Sequence, residues 1–303
     1  MINAFVCQPA GSNTGIGDCS LEISKIVGFF LVNKNFVLSA ANLLTDAALL
    51  AALQTAASAD LKAARIYPVH GLVDIADNST DPTVQTFGYG PSVVAADGFY
   101  DWTFPFVRGG ICLLKALQRF NGSDIRVIFY DSNGLLFGWK VGETLKGIPL
   151  NQFYANPWKP NTGAAVMVTN VKINFSPRYL NQELGFYKVT DFSIDSIEGL
   201  QNVVIKQTGV QAKPVYKVKA FSGCAQVDMS LYSTELANVA RWVATNAGTG
   251  AVITITSVVA DANIGGWTIT LDSADPDYPA VGSIKLSLAA PSVLTAAGVA
   301  GFE

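Results

Sequence analysis

A chain that is half apolar and only 14% charged has to keep much of its surface away from water. An average soluble domain is about a quarter charged; here 20 basic and 23 acidic residues are spread over 303 positions. A compact monomer of 32.1 kDa exposes roughly 12,000 Å², and so few charges coat that area thinly. Mean hydropathy is +0.32, yet the longest apolar run near the start, Ile26 to Val32 between Lys25 and Asn33, has seven residues. A membrane span needs about 20. The stretch from Ala289 to Gly301 is apolar but holds Pro291 and is also too short. The expectation is a folded chain whose surface is covered by neighbours, most simply by copies of itself.

The length allows one large or two modest domains. The net charge of −3 argues against a protein that wraps nucleic acid with a basic stripe. The densest basic stretch, Lys213 to Lys219, alternates Lys with Val and reads as a strand with lysines on one face. The start, Met1 to Cys7, shows no basic region followed by an apolar core and no lipid-attachment pattern before Cys7, so a soluble protein used without export is expected. Four cysteines, Cys7, Cys19, Cys112 and Cys224, lie far apart without a CxxC pair. Zinc would need all four to converge, so reduced, buried thiols in a cytosolic product are expected. Only Cys7 and Cys19 are near enough in sequence to close a local loop.

Strands are expected at Ile26–Val32 and Phe36–Leu38, then helix within 43–64, with Leu43, Leu44, Ala47, Leu50, Leu53 and Ala57 at helical spacing. Thr45 offers an N-cap, and Ser58 to Asp60 a break. Residues 71–98 and 142–163 read as long loops, which in a folded domain usually serve function or pack on a neighbour. Between them, Phe99–Val107 reads as a strand, Ile111–Phe120 as an amphipathic helix, and Ile125–Tyr130 with Leu135–Val141 as a hairpin turned by Asn133-Gly134 in type I′ geometry. Further strands are expected at 166–175, 186–194, 202–207 and 214–220, and a helix from Leu231 to Ala244. After Asn246 the composition shifts to Thr, Val and Ile in short runs, which reads as a small all-β module.

No residue pattern names a reaction. His70 is the one histidine and the one ordinary base for a Ser-His-Asp site, with Asp74 near it; without a GxSxG elbow it reads as a structural histidine at a strand end. Gly11 to Gly17 is rich in glycine but lacks the Gly-Lys-Ser/Thr ending of a phosphate loop. Asp272, Asp275 and Asp277 are the better calcium candidates, ahead of Asp74, Asp77 and Asp81, although aspartate builds turns through its own hydrogen bonds. Trp102, Trp139, Trp158 and Trp267 could form a sugar platform, and more often such residues are core or interface anchors.

Several stretches, Ala64 to Gly71, Asp77 to Pro82, Phe87 to Gly90, Gly98 to Trp102 and the closing Ala297 to Glu303, resemble structural proteins of tailed bacteriophages, particularly those infecting Bacteroidetes hosts. The likeness is one of texture over about two-thirds of the chain. Within that class the strand–helix–hairpin block at 99–141 is similar to the β-sandwich with one helix of tail tube and tail-completion proteins. The resemblance implies a ring or tube of many copies with a mildly acidic lumen through which DNA slides. The added β unit after residue 250 leaves room for a capsid, collar or decoration role.

The fold expected is α+β and predominantly β: a sandwich- or barrel-like core with one or two packed helices in residues 1–245, and a small β module in 246–303. The function expected is a non-enzymatic virion subunit, assembled in the host cytoplasm. Its partners are copies of itself and other virion proteins, with DNA only as passing cargo and no membrane. No catalytic, metal or cofactor residue is assigned. The loops at 71–98 and 142–163 are the candidate contacts, with Trp158 and Phe153 as contact residues. The competing class is a monomeric carbohydrate-binding or hydrolytic protein with a binding module at its end; a fibre or spike would show repeats that this chain lacks.

Overall fold

The apolar run from Ile26 does not alternate because its strand is covered on both faces. In the computed structural model, which describes residues 23–59, 61–90, 92–106, 110–157, 169–209, 212–279 and 282–289, Phe29 and Leu31 enter one core while Phe30 and Val32 enter another, all fully buried. The chain divides into two units, residues 1–197 and 198–303.

The first unit runs β1 (Ile26–Asn33), β2 (Val37–Leu38), α1 (Asp46–Ala57), β3 (Ile66–His70), β4 (Ala76–Asp77), β5 (Thr83–Gln85), β6 (Val93–Ala96), β7 (Tyr100–Phe106), α2 (Gly110–Gln118), β8 (Ile125–Asp131), β9 (Leu135–Val141), β10 (Thr144–Lys146), β11 (Ile148–Pro149), β12 (Gln152–Ala155), β13 (Thr169–Phe175), α3 (Arg178–Asn181) and β14 (Leu184–Lys188). The main antiparallel sheet has the order β2-β10-β9-β8-β1-β3, with β14 also pairing β9 and β11 pairing β8. A second sheet has the order β12-β13-β7-β4. One face of the main sheet packs on the second sheet and α2 through Phe29, Phe129, Phe137, Phe104, Phe175 and Leu114. Its other face packs on α1 and on residues 189–197. Strict alternation makes this possible on β13, where Thr169, Val171, Ile173 and Phe175 are buried and the residues between them are not.

Thr45 caps α1 by accepting from the Ala48 amide at 3.1 Å. The helix buries Leu49, Leu53, Ala56 and Ala57 and ends at Ser58, so Leu44 faces outward instead of joining the stripe. The hairpin between β8 and β9 forms where expected but with a different turn. The Gly134 amide donates to the Asp131 carbonyl, so the central residues are Ser132 and Asn133; neither takes a positive φ, and Gly134 after them does, +77°. That is a type I turn followed by a left-handed glycine, and it is set by the buried Asp131 carboxylate, which accepts from the amides of Asn133 and Leu135.

The second unit contains β15 (Val203–Gln207), β16 (Val215–Ser222), β17 (Val227–Asp228), α4 (Ser233–Leu236), β18 (Trp242–Asn246), β19 (Val252–Ile253), β20 (Ile255–Asp261), β21 (Gly266–Leu271) and β22 (Ile284–Leu288). Its sheets, β15-β16-β21-β20 with β17 on β16, and β19-β18-β22, share a core around Trp242 and Trp267. The indole N–H of each is taken by a carbonyl of the α4 segment, Leu236 and Ser233 respectively.

The whole is a predominantly β fold of the α+β class, as expected. The domain boundary expected after residue 245 is not where the chain divides: β16 pairs with β21, and β18, which that boundary would cut, pairs with β22. The helix expected over 231–244 is broken into short turns, 3-10 at Ser230–Tyr232 and Val239–Arg241 and α-helical at Ser233–Leu236, and Trp242–Asn246 is a strand. Spacing there was compatible with both periods, and pairing with Ile284–Leu288 decided it. The expected loop at 142–163 holds β10, β11 and β12. Phe153 on β12 is buried in the core, so it is no contact residue, and Trp158 lies outside the described residues. Cys112 on α2 and Cys224 in the turn after β16 are disulfide-bonded, not reduced thiols. Cys7, Cys19, the Gly11–Gly17 stretch and the strand residues expected at 166–168 lie outside the described residues. Among the described residues no helix is long and apolar enough to cross a membrane.

Candidate functional site

The candidate site is an arm, residues 78–99. It leaves the edge of the second sheet where β4 pairs β7 (Ala76 with Thr103, Asp77 with Trp102). Asp77 starts it: one carboxylate oxygen accepts from both the Ser79 hydroxyl and the Ser79 amide, which holds the acid below its usual range. Thr80 and Phe99 then exchange two backbone hydrogen bonds. Gly98 stands here because a Cβ would lie 2.2 Å from the Thr80 carbonyl oxygen. Beyond this neck β5 and β6 form a two-stranded ribbon that pairs, among the described residues, with no other strand.

The ribbon is exposed at every position of both strands; β6 is apolar throughout and β5 carries Val84 between the polar Thr83 and Gln85. Val84, Val93 and Val94 are each about half exposed or more, Phe87 is 51% exposed, and Tyr89 at the tip is fully exposed. From Pro82 to Ala96 the chain has no charged residue. An isolated two-stranded hairpin is marginal in water. Uncharged apolar edges are where other chains add, and natural edges are normally blunted with charge.

In sequence this segment reads as a contact loop, without its strands. Thr83-Val84 and Val93-Val94 flank Gly88, Gly90 and Pro91, which is a hairpin signature, but strands of three and four residues leave periodicity nothing to work on.

His70 ends β3, as a structural histidine would, and its partners are not Asp74. Its Nδ1 lies 2.5 Å from the Tyr130 hydroxyl, which lies 2.7 Å from Asp195 Oδ1, and its Nε2 lies 2.7 Å from the Ile197 carbonyl oxygen. Gly28 on β1 stands in register with both His70 and Tyr130. It leaves open the space that Tyr130 crosses to reach the ring. Tyr130 and Asp195 carried no signal in the sequence, because the contact joins residues far apart in the chain. Asp74 accepts from the Ile75 amide.

Asp272 and Asp275 serve turns. Asp272 accepts from the Ala274 amide, and Asp275 accepts from the amides of Thr254 and Asp277, bonds that hold the Asp275 carboxyl below its usual range. Among the described residues no three His, Cys, Asp or Glu side chains come together as metal ligands. The tryptophans do not form one platform. Trp102 packs among Tyr100, Phe129 and Phe175. Trp139 donates to Glu183, and Trp267 is fully buried.

No family model matches the chain, and no curated protein matches it.

Proposed function

We propose that this chain is a non-enzymatic structural subunit of a tailed-phage virion, assembling with its own copies into a ring or tube, a tail tube or tail-associated component, that forms a conduit for DNA. The arm at 78–99 carries the reading. Its exposed valines, Phe87 and Tyr89 are an apolar surface of the kind that marks an interaction site. A contact in which the arm of one copy meets a different surface of the next is heterologous, and such contacts close into rings or stack into tubes. The low charge of the chain fits a surface shared with neighbours, and the net charge of −3 suits a lumen that does not hold DNA. Disulfides at Cys112 and Cys224 suit a particle that works outside its host, since such bonds persist in oxidising surroundings. The resemblance to structural proteins of tailed phages supplies the particle, and rotational symmetry separates a tail place from a capsid, collar or decoration one.

The test is a double substitution in the arm, Phe87→Asp with Tyr89→Asp. Both side chains are exposed, so circular dichroism and thermal unfolding should match the parent chain. Sedimentation should show assemblies for the parent and a single subunit for the variant. Assembly unchanged in the variant would rule the arm out as the contact.

A further inference from the structure

The ring of His70 closes a hydrogen-bonded series whose protons can be counted. Nε2 faces the Ile197 carbonyl oxygen at 2.7 Å; a carbonyl only accepts, so Nε2 carries a proton. Two contacts remain, Nδ1 to the Tyr130 hydroxyl at 2.5 Å and that hydroxyl to Asp195 Oδ1 at 2.7 Å. Each needs one bridging proton, and Tyr130 owns one. A neutral ring facing an ionised carboxylate is one proton short. An imidazolium facing a carboxylate bridges every contact and places Nδ1 3.6 Å from Asp195 Oδ1 as an ion pair.

We propose that His70, Tyr130 and Asp195 form a proton-dependent clasp that fastens the Ile194–Ile197 turn, the last residues of the first unit, to the main sheet, and that loss of one proton frees Asp195 from it. The titratable groups against the ring are Tyr130 from β8 and Asp195 from the turn; β1 contributes the edge of Phe30 and the bare backbone of Gly28. The phenol does not supply the exchanging proton, since burial and the adjacent Asp195 carboxylate push it far above the ordinary range. The His70 side chain is 26% exposed and that of Asp195 56%, so the proton reaches water without unfolding. Because the clasped form binds the extra proton, its hold is stronger toward pH 5 than toward pH 8.

One histidine in the chain makes the test direct. Its ring nitrogens give an unambiguous ¹⁵N signal, followed from pH 5 to 8, the range in which imidazoles exchange their proton. Hydrogen exchange of the Ser196 and Ile197 amides, which close the turn, is measured over the same range and corrected for intrinsic base catalysis. Corrected exchange should rise roughly fivefold in step with ring deprotonation, the factor for loss of one hydrogen bond of ordinary net strength. In Tyr130→Phe the exchange should be fast throughout and insensitive to the ring. Exchange in the parent chain that ignores the ring's protonation would overturn the clasp, whether or not the variant folds.

Discussion

Gly28→Val is expected to cost the first unit about 4 kcal/mol, or to prevent it from folding, as overpacked core sites do at their most severe. A Cβ at this position would lie 1.9 Å from the Tyr130 hydroxyl oxygen and 2.2 Å from the ring carbon that bears it. The tyrosine has no room to yield. It is 1% exposed, packs with its ring tilted against Phe30 at 5.6 Å between centroids and is held at its hydroxyl by His70 and Asp195. The strand cannot shift either, because β1 is paired on both sides, to β3 and to β8. For a unit of this size that loss lowers the melting temperature by roughly 10 °C, measurable by calorimetry. Gly88→Ala is the control: a Cβ there meets nothing within 4 Å, and no change is expected. A loss under about 1 kcal/mol for Gly28→Val would mean that Tyr130 does not cross over Gly28.

Asp46→Ala should be nearly as costly, about 3 kcal/mol, since it removes a buried charged acceptor and strands its donors. The carboxylate at the start of α1 accepts from the Tyr187 hydroxyl at 2.8 Å, the Thr190 amide and hydroxyl at 2.7 and 2.9 Å, and the Asp191 amide at 2.8 Å. It thereby ties α1 to the chain leaving β14. Burial alone would raise this acid; the hydrogen bonds outweigh burial and hold it below the usual range. The folded form therefore binds this proton less readily than the unfolded form. The stability contributed is present above the ordinary carboxylate value near 4 and is lost as pH falls through the folded value. Urea unfolding at several pH values should show the parent chain weakening below about pH 4, and Asp46→Ala weakened at neutral pH with a shallower acid dependence. Parallel pH curves for the two would contradict the role assigned to Asp46. The sign is opposite to that of the His70 clasp, so the two effects separate on one pH axis.

How much could be read from the sequence depended on the range of the interaction that decides each element. β1, β7, β8, β9 and β13 were legible because apolar content or alternation over seven or eight residues exceeds what a turn can hold. The cap at Thr45 was legible because capping is local. The segment 231–246 was not, because Leu236 and Trp242 fit a helix until Leu288 is seen to pair with Trp242. The unit boundary was missed for the same reason. The shift in composition near residue 250 falls inside a unit whose β16 and β21 are joined across about fifty residues of chain. His70 was visible but its partners were not, as Tyr130 and Asp195 lie 60 and more residues away. The arm was seen as a loop with a purpose, and only its three-dimensional exposure separates Phe87 and Tyr89, which face water, from Phe153, which does not.

The assembly proposed for this chain would show in the mass of the purified full chain. Light scattering across a concentration series would be read with the same fractions in negative-stain electron microscopy. The expected result is a mass many times 32.1 kDa, with rings or tubes in the images. A monodisperse particle of one chain's mass at every concentration, with no rings or tubes, would contradict it.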